Sequence, residues 1–576
     1  MPSKSSNFFS PLKSHKFLSV LLVFYSLIIF FYNLGGGGLH SAQEGRAAII
    51  AKNMISSGEW LHVIFPGAII TEKPILSYWF CSLSGLLFGV NEFSMRLPSA
   101  LSAFVIVLLT YWFASRLYGK HVGLLSGFIL SSTLFFIDQS HTARIDIVLC
   151  AFYTASMVLL YIGYFENMKC NKKIYLFYIV VGLGVLLKGP VSVGLVGLTI
   201  IVLIIKYRKL KIILDLKPIA GTLIVLCIAL PWFIYINYYT HDSFTLDFLL
   251  NQNLSRFTGI NMTYHEGRRM SLFYYFSNLM SYALPWSIFF PFIIIFKIKK
   301  IFKISDRTKF LVIWFLVIFI FFSLAAIKRS DYLLPLYAPM AIMVALFLKG
   351  LIDSKFYFTK KIRFVYYIVA ATAILALVLA RTGILEKVGK MVLSGQANWM
   401  CDNDASNMVR ISEAVNSYFI ISSIIIVLVI LFIFYLWRKL ENGQFQYLIS
   451  TIIAVAFVLN ILNYGYIVPI MNKYESTKEF CEVARQYIPK QEVICYYDSW
   501  NTEAIFYMDR KYKRARTLDK IYNKANSTLK FDYIITSQRG YKGLTDYVKV
   551  HVAVLEKIPE EYHYPLVLLS KKSLKN

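Results

Sequence analysis

Acidic residues are scarce in this chain. Its 576 residues hold 32 Asp and Glu against 60 Lys and Arg, a formal net charge of +28, and charged residues make up only 16%. Cysteine is thin too. There are seven, three of them inside apolar runs, which makes no disulfide framework, and no zinc-knuckle spacing occurs. A phosphate-binding P-loop and a Rossmann glycine pattern are both missing, which argues against a nucleotide cofactor and against a nucleotide-sugar donor. The one glycine run, at 35–38, lacks a following Gly-Lys and a preceding strand, and reads as a flexible helix end. What abounds is apolar surface. The chain is 57% hydrophobic with a mean hydropathy of +0.57, far from soluble globular domains and typical of a polytopic membrane protein. A basic chain can bind nucleic acid, but here the cations fall in short clusters between apolar runs. That is the positive-inside pattern of membrane loops, and no nucleic-acid partner is expected.

Runs long enough to cross a bilayer lie near 17–34, 96–117, 121–138, 146–165, 173–189, 190–206, 217–237, 271–296, 309–327, 332–349, 363–381, 417–437 and 447–467. They predict about thirteen membrane helices, with Lys188-Gly189-Pro190 interrupting the fifth and sixth. The first run follows a basic N-terminus and ends at Asn33-Leu34 and four glycines, without a small-residue cleavage site, so a retained helix is expected. Basic clusters then fall in every second loop if the N-terminus is inside. That orientation puts loops 35–95, 238–270 and 382–416 outside, together with the tail. The tail is polar: KEFCEVARQYI reads as an amphipathic helix, and EVICYYD and FDYIITS read as strands. The expected domains are a transmembrane domain over 1–467 and a small α/β domain over 468–576. Cys481 and Cys495 in that domain read as buried thiols in preference to a disulfide.

Four outward places hold charges that a helix bundle does not need. The first, His40 to Trp79, packs Glu44, Arg46, Glu59, Glu72 and Lys73 beside the membrane surface. Its Glu72-Lys73-Pro74 reads either as a phosphate-binding lysine with a metal- or substrate-binding acid, or as a helix-start acid with a snorkelling lysine. The second is Arg144 and Asp146 at the start of the fourth predicted helix, where capping or a local ion pair is the plain alternative. The third, around Arg256, His265, Glu266, Arg268 and Arg269, sets three arginines against the orientation rule, and an anionic ligand accounts for them. His265 as a metal ligand needs carboxylate or imidazole company from elsewhere in the fold. The fourth is Lys328 and Arg329 beside Tyr332 and Tyr337. An aromatic belt explains the tyrosines but not the paired cations. A basic outer pocket with carboxylates suits sugar transfer from a polyprenyl-phosphate carrier. An acid takes the acceptor's hydroxyl proton and the cations stabilise the departing phosphate.

The segments QEGRAAIIAKNMISSGEWL, TEKPILSYWFCSLSGLLFGVNEFSMRLPSAL, ARIDIVL, LLKGPVSV, LPWFIYI, RFTGINMTYHEGRRMSLFYYF and KRSDYLLPLYAPM carry a family resemblance over roughly residues 40–340. The chain resembles the GT-C membrane glycosyltransferases, in the bacterial branch of the 4-amino-4-deoxy-L-arabinose lipid A transferases and protein mannosyltransferases. The resemblance implies an all-α bundle of thirteen helices with a periplasmic cavity and a periplasmic C-terminal domain. It implies an undecaprenyl-phosphate-linked donor and inverting transfer in the bacterial inner membrane, with lipid A, another glycolipid or protein as acceptor. Glu72 and Lys73 match the family's metal- and phosphate-binding pair, and Asp146 its acid at the fourth helix. His265 matches a histidine near the metal, Arg268 or Arg269 a phosphate-binding arginine, and Tyr332 a motif tyrosine. One departure matters: where the family reads Asp-Glu-x-Arg, this chain reads Gln43-Glu44-Gly45-Arg46. The expected base is therefore Glu44 with Asp146. Arg46, Lys73, Arg144, Arg268, Arg269, Lys328 and Tyr332 are expected to bind substrate. Glu72 and His265 are the candidate ligands for a divalent zinc, magnesium or manganese ion. A monomer is expected. The competing expectation is a non-catalytic polyprenyl-lipid transporter.

Overall fold

Apolar runs punctuated by Gly and Pro decide most of the bundle. The computed structural model describes residues 15–65, 68–69, 73–166, 171–240, 253–259, 273–291, 305–353, 445–523, 528–544, 552–557 and 566–571, with isolated positions elsewhere. The chain forms two units, Met1–Gly35 with Gln43–Lys349, and Gly36–Ala42 with Gly350–Asn576.

The first unit opens with α1 (His15–Phe31), α2 (Ala42–Ser57), the hairpin β1 (Ile64–Phe65) and β2 (Ala68–Ile69), and α3 (Leu76–Phe88). The stretch predicted as a long loop is thus folded into two helices and a hairpin. It was illegible as helix because α2 is nearly as polar as apolar, and it buries mainly small residues such as Ala47, Ala48 and Ala51. Then come α4 (Glu92–Tyr118), α5 (Lys120–Ser131), α6 (Leu134–Ser140), α7 (Ile145–Tyr161), α8 (Asn171–Lys188), α9 (Pro190–Tyr207), α10 (Lys211–Asp215) and α11 (Pro218–Tyr239). Asn91 starts α4 with a capping box, its side chain accepting from the Ser94 amide at 2.9 Å. Helices Asp306–Leu324 and Tyr337–Asp353 follow, joined through a 3-10 segment at Ser330–Leu336.

Among the described residues, seven helices are long and apolar enough to span a membrane, or eight if α5 and α6, bent by 65°, count as one. The protein is a multi-pass membrane protein. The expected spans near 363–381 and 417–437 lie outside the described residues. Among the described residues, the run at 271–296 holds the helix Tyr274–Tyr282 and a 3-10 turn at Trp286–Phe289, with a break at Pro285 between them and further helical positions from Phe290.

The second unit contains the apolar helix Phe445–Leu462 and a small α/β domain. Its five-stranded sheet runs β4-β3-β7-β9-β8. β3 (Val493–Tyr497) is parallel to β4 (Lys511–Ala515) and to β7 (Tyr533–Ser537). β9 (Leu566–Ser570) is antiparallel to β7 and to β8 (Ala553–Lys557), while β5 (Tyr522–Asn523) and β6 (Thr528–Leu529) form a separate hairpin. The amphipathic helix lies at Lys478–Tyr487, and the two strand segments fall on β3 and β7. Cys481 and Cys495 are buried free thiols. Segment Gly36–Ala42 joins this unit: Leu39 donates its amide to the Tyr507 hydroxyl at 2.7 Å, and Thr502 donates to the Ala42 carbonyl at 3.1 Å.

Candidate active site

Helix ends create the site. Asp146 sits in the first turn of α7, where the exposed amides favour an anion, and Lys188 is the last residue of α8, where the exposed carbonyls favour a cation. The two helices pack together, and Lys188 pairs with Asp146. Gly189 makes that junction possible. Its φ is +73°, and an added Cβ would fall 2.4 Å from the Phe248 ring, so only glycine turns the chain here before Pro190 starts α9.

Residues 328–332 bring the other half. Arg329 forks onto Asp331 through Nε and Nη2 at 3.1 and 3.0 Å. Arg144 approaches the same carboxylate at 3.6 Å. The Tyr275 hydroxyl accepts from the Arg329 amide at 3.0 Å and fixes the backbone. Lys188 Nζ also lies 4.4 Å from the Tyr332 ring centroid, a cation–π contact. Burial opposes the charge on Arg329, but Asp331 beside it prevails and holds the guanidinium pKa above its ordinary value. Three cations therefore meet two carboxylates. One positive charge is left in excess, and the Nε of Arg144 is buried without a hydrogen-bond partner among the described residues.

This cluster borders a cavity of about 410 Å³. Lys73, Lys188, Asn253 and Tyr332 supply its polar wall, and the rest is apolar, including Phe248, Phe257 and Phe322. An anionic head with an apolar tail matches that division.

The other expected residues separate into groups. Glu44 is 0% exposed and accepts from Arg96 Nε at 2.9 Å, from Arg96 Nη2 at 3.3 Å and from the Ala143 amide at 2.9 Å. That pair ties α2 to α4 and to the turn before α7. Arg46 places its guanidinium 5.5 Å from the Phe65 ring. Lys328 is buried and donates to the Ala325 carbonyl at 2.6 Å. Glu72, His265, Arg268 and Arg269 lie outside the described residues. Among the described residues, no three His, Cys, Asp or Glu side chains gather to hold a metal.

Two cluster residues escaped the sequence reading as site residues. Lys188 was visible only as the break in an apolar run, although a charge at the end of such a run is itself a functional signal. Asp331 was hidden between Arg329 and Tyr332, which drew the attention.

Comparison with known proteins fits this geometry. Residues 72–235 match the dolichyl-phosphate-mannose-protein mannosyltransferase family. An uncharacterized protein of Aquifex aeolicus is 34% identical over 340 residues, 58% of this chain and 64% of the relative. The undecaprenyl phosphate-alpha-4-amino-4-deoxy-L-arabinose arabinosyl transferase of Aeromonas salmonicida is 30% identical over 330 residues, 56% of this chain and 58% of the relative. The chain thus matches about three fifths of these relatives' length. The crystal structure of ArnT from Cupriavidus metallidurans bound to undecaprenyl phosphate superposes with a TM-score of 0.73 at 19% identity, covering 96% of this chain and 98% of that one. The apo oligosaccharyltransferase of Archaeoglobus fulgidus gives 0.50 at 12% identity, covering 91% and 69%. The fold is therefore that of the GT-C membrane glycosyltransferases, with a small sheet domain at the C-terminal end. Within that class the chain resembles the aminoarabinose transferases and the protein mannosyltransferases.

Proposed function

We propose that this protein is an integral membrane glycosyltransferase. It moves a sugar from an undecaprenyl-phosphate carrier to an envelope acceptor such as lipid A, on the periplasmic face of the bacterial inner membrane. One observation carries the reading: a largely apolar cavity whose polar wall is Lys73, Lys188, Asn253 and Tyr332 abuts the cluster of Asp146, Lys188, Arg329, Asp331 and Arg144, which is net-positive by one charge. The carrier's phosphate is drawn to the lysines and its chain to the phenylalanines.

In this reading Asp146 is the base. The donor phosphate competes with Asp146 for Lys188, and the freed carboxylate takes the acceptor's proton as its oxygen attacks the anomeric carbon. The carbon–oxygen bond to phosphate breaks, and Lys73 and Lys188 take up the charge of the leaving group. Glu44, closed on Arg96, holds α2 in place rather than moving protons. A divalent metal is left out of the step, since its expected ligands Glu72 and His265 lie outside the described residues.

The test is reconstitution of the purified protein in liposomes with labelled undecaprenyl-phosphate aminoarabinose and lipid A, followed by mass spectrometry of lipids. Sugar on lipid A supports the reading. Movement of the labelled carrier across the bilayer without sugar transfer replaces it with a transporter. A protein acceptor is the second reading, favoured by the match of residues 72–235 to the protein mannosyltransferases, and glycoprotein analysis of cells with and without the gene separates the two.

A further inference from the structure

Gln43, at the start of α2, stands beside Arg329. With its oxygen turned toward the guanidinium, the Gln43 amide accepts from Nη2 and Nη1 of Arg329 at 2.9 and 3.1 Å. Nε and Nη2 of the same guanidinium are taken by Asp331, which is only 2% exposed. Gln43 and Asp331 therefore bracket one arginine from two chain segments, one at the start of α2 and one in the 3-10 segment after Arg329. Gln43 supplies acceptor geometry without charge. Asp331 supplies the charge, and its other contact reaches Arg144 at 3.6 Å.

We infer that Asp331 is the carboxylate that aims the cations of this cluster. It acts as a positioning residue that fixes Arg329 and Arg144 around the sugar-phosphate site. The inference rests on the proposed donor site. Three details carry it. Arg329 has a bidentate partner on one flank, a geometry that pins a planar guanidinium in direction as well as distance. A glutamate at 43, isosteric with Gln43, would set a carboxylate oxygen on the opposite flank of that same guanidinium, so a charge can be moved from one flank to the other. Moreover, with a neutral residue at 43 the cluster keeps a positive excess, which favours an entering phosphate. A second carboxylate there would cancel it.

The experiment is a charge relocation. Wild type, Asp331→Asn, Gln43→Glu and the Gln43→Glu/Asp331→Asn double variant are purified in detergent. Each is measured for sugar transfer and for thermal stabilisation by added undecaprenyl phosphate. The expected result for Asp331→Asn is a loss of kcat of about a hundredfold with KM for the donor changed less than about threefold, because a misaimed guanidinium fails the departing phosphate. The double variant, with its carboxylate on the other flank, recovers at least about tenfold of that loss. Gln43→Glu alone weakens the stabilisation by undecaprenyl phosphate, since the added anion cancels the positive excess. If Asp331→Asn does not yield folded protein, a folded and active double variant still supports the relocation. Undiminished activity in Asp331→Asn overturns the inference, as does a double variant that is no more active than Asp331→Asn or does not fold. A wild type that binds and is stabilised by undecaprenyl phosphate but transfers no sugar overturns the proposed function instead. The stabilisation series then decides Asp331 on its own: loss in Asp331→Asn and return in the double variant support it, and an unchanged series sinks it.

Discussion

Two buried ion pairs in the same unit look alike and do opposite things. Glu44 with Arg96 is closed: the acid is 0% exposed, the arginine 3%, and an amide and a carbonyl take up further bonds. The cluster of Asp146, Lys188, Arg329 and Asp331 is open. With Arg144 beside Asp331 it carries one cation too many, and it borders a cavity with a largely apolar wall. A balanced pair sealed from water has nothing left to offer a ligand, whereas an unbalanced one at a cavity wall does. Burial of charge alone therefore does not mark function. The surplus and the opening do.

That contrast can be broken from either side. The largest effect is expected at the open cluster: Asp146→Asn should lower kcat by about 10²–10⁴ with the protein still folded, because Asp146 is the proposed base. Transfer assays on equal amounts of folded protein check this, and an Asp146→Asn enzyme of full activity would remove the carboxylate from the mechanism. At the closed pair the loss should be one of stability. Glu44→Gln strands Arg96 and should cost about 3–5 kcal/mol, read as a lowered melting midpoint in detergent. What folds should keep most of its kcat. A stable but inactive Glu44→Gln protein would return Glu44 to the role of base.

Smaller changes sharpen the line between binding and chemistry. Tyr332→Leu removes the ring under Lys188 and should weaken donor binding by about 1 kcal/mol, roughly fivefold, with kcat little changed. Titration of the melting point with undecaprenyl phosphate measures it. The smallest effect concerns the second unit. Burial pushes the Cys495 thiol up to about 12 and raises that of Cys481 as well. A thiol with a raised pKa is protonated and inert at pH 8. Iodoacetamide at that pH should leave both unlabelled in the native protein and label them after denaturation. Native labelling of either would show that this domain opens in solution.

Much of the fold could be read in advance. Long apolar runs with Gly and Pro between them can only be spans, because a bilayer leaves the backbone no other way to satisfy its hydrogen bonds. The tail's helix and strands were equally plain in their periodicity. The helices inside 35–95 were not, since α2 buries alanines and isoleucines without a strong apolar stripe. The candidate site was legible in part. Asp146, Lys73 and Tyr332 announced themselves as charges or rings at span ends. Glu44 was flagged just as strongly, and nothing in a one-dimensional pattern says that Arg96, 52 residues away, would close on it at 2.9 Å.

By itself, then, the sequence determined that this is a multi-pass helical membrane protein with a separate polar α/β domain, and that cations and acids collect at helix ends. Both follow from solvation, which acts on each segment alone. Which acid meets which cation was decided only by the tertiary structure. Lys188 reaches Asp146 because α7 and α8 pack together and Gly189 turns the chain between α8 and α9. Gln43 and Asp331 share Arg329 because two segments nearly 290 residues apart meet there. Pairing depends on distance across the fold, and that distance is set by packing.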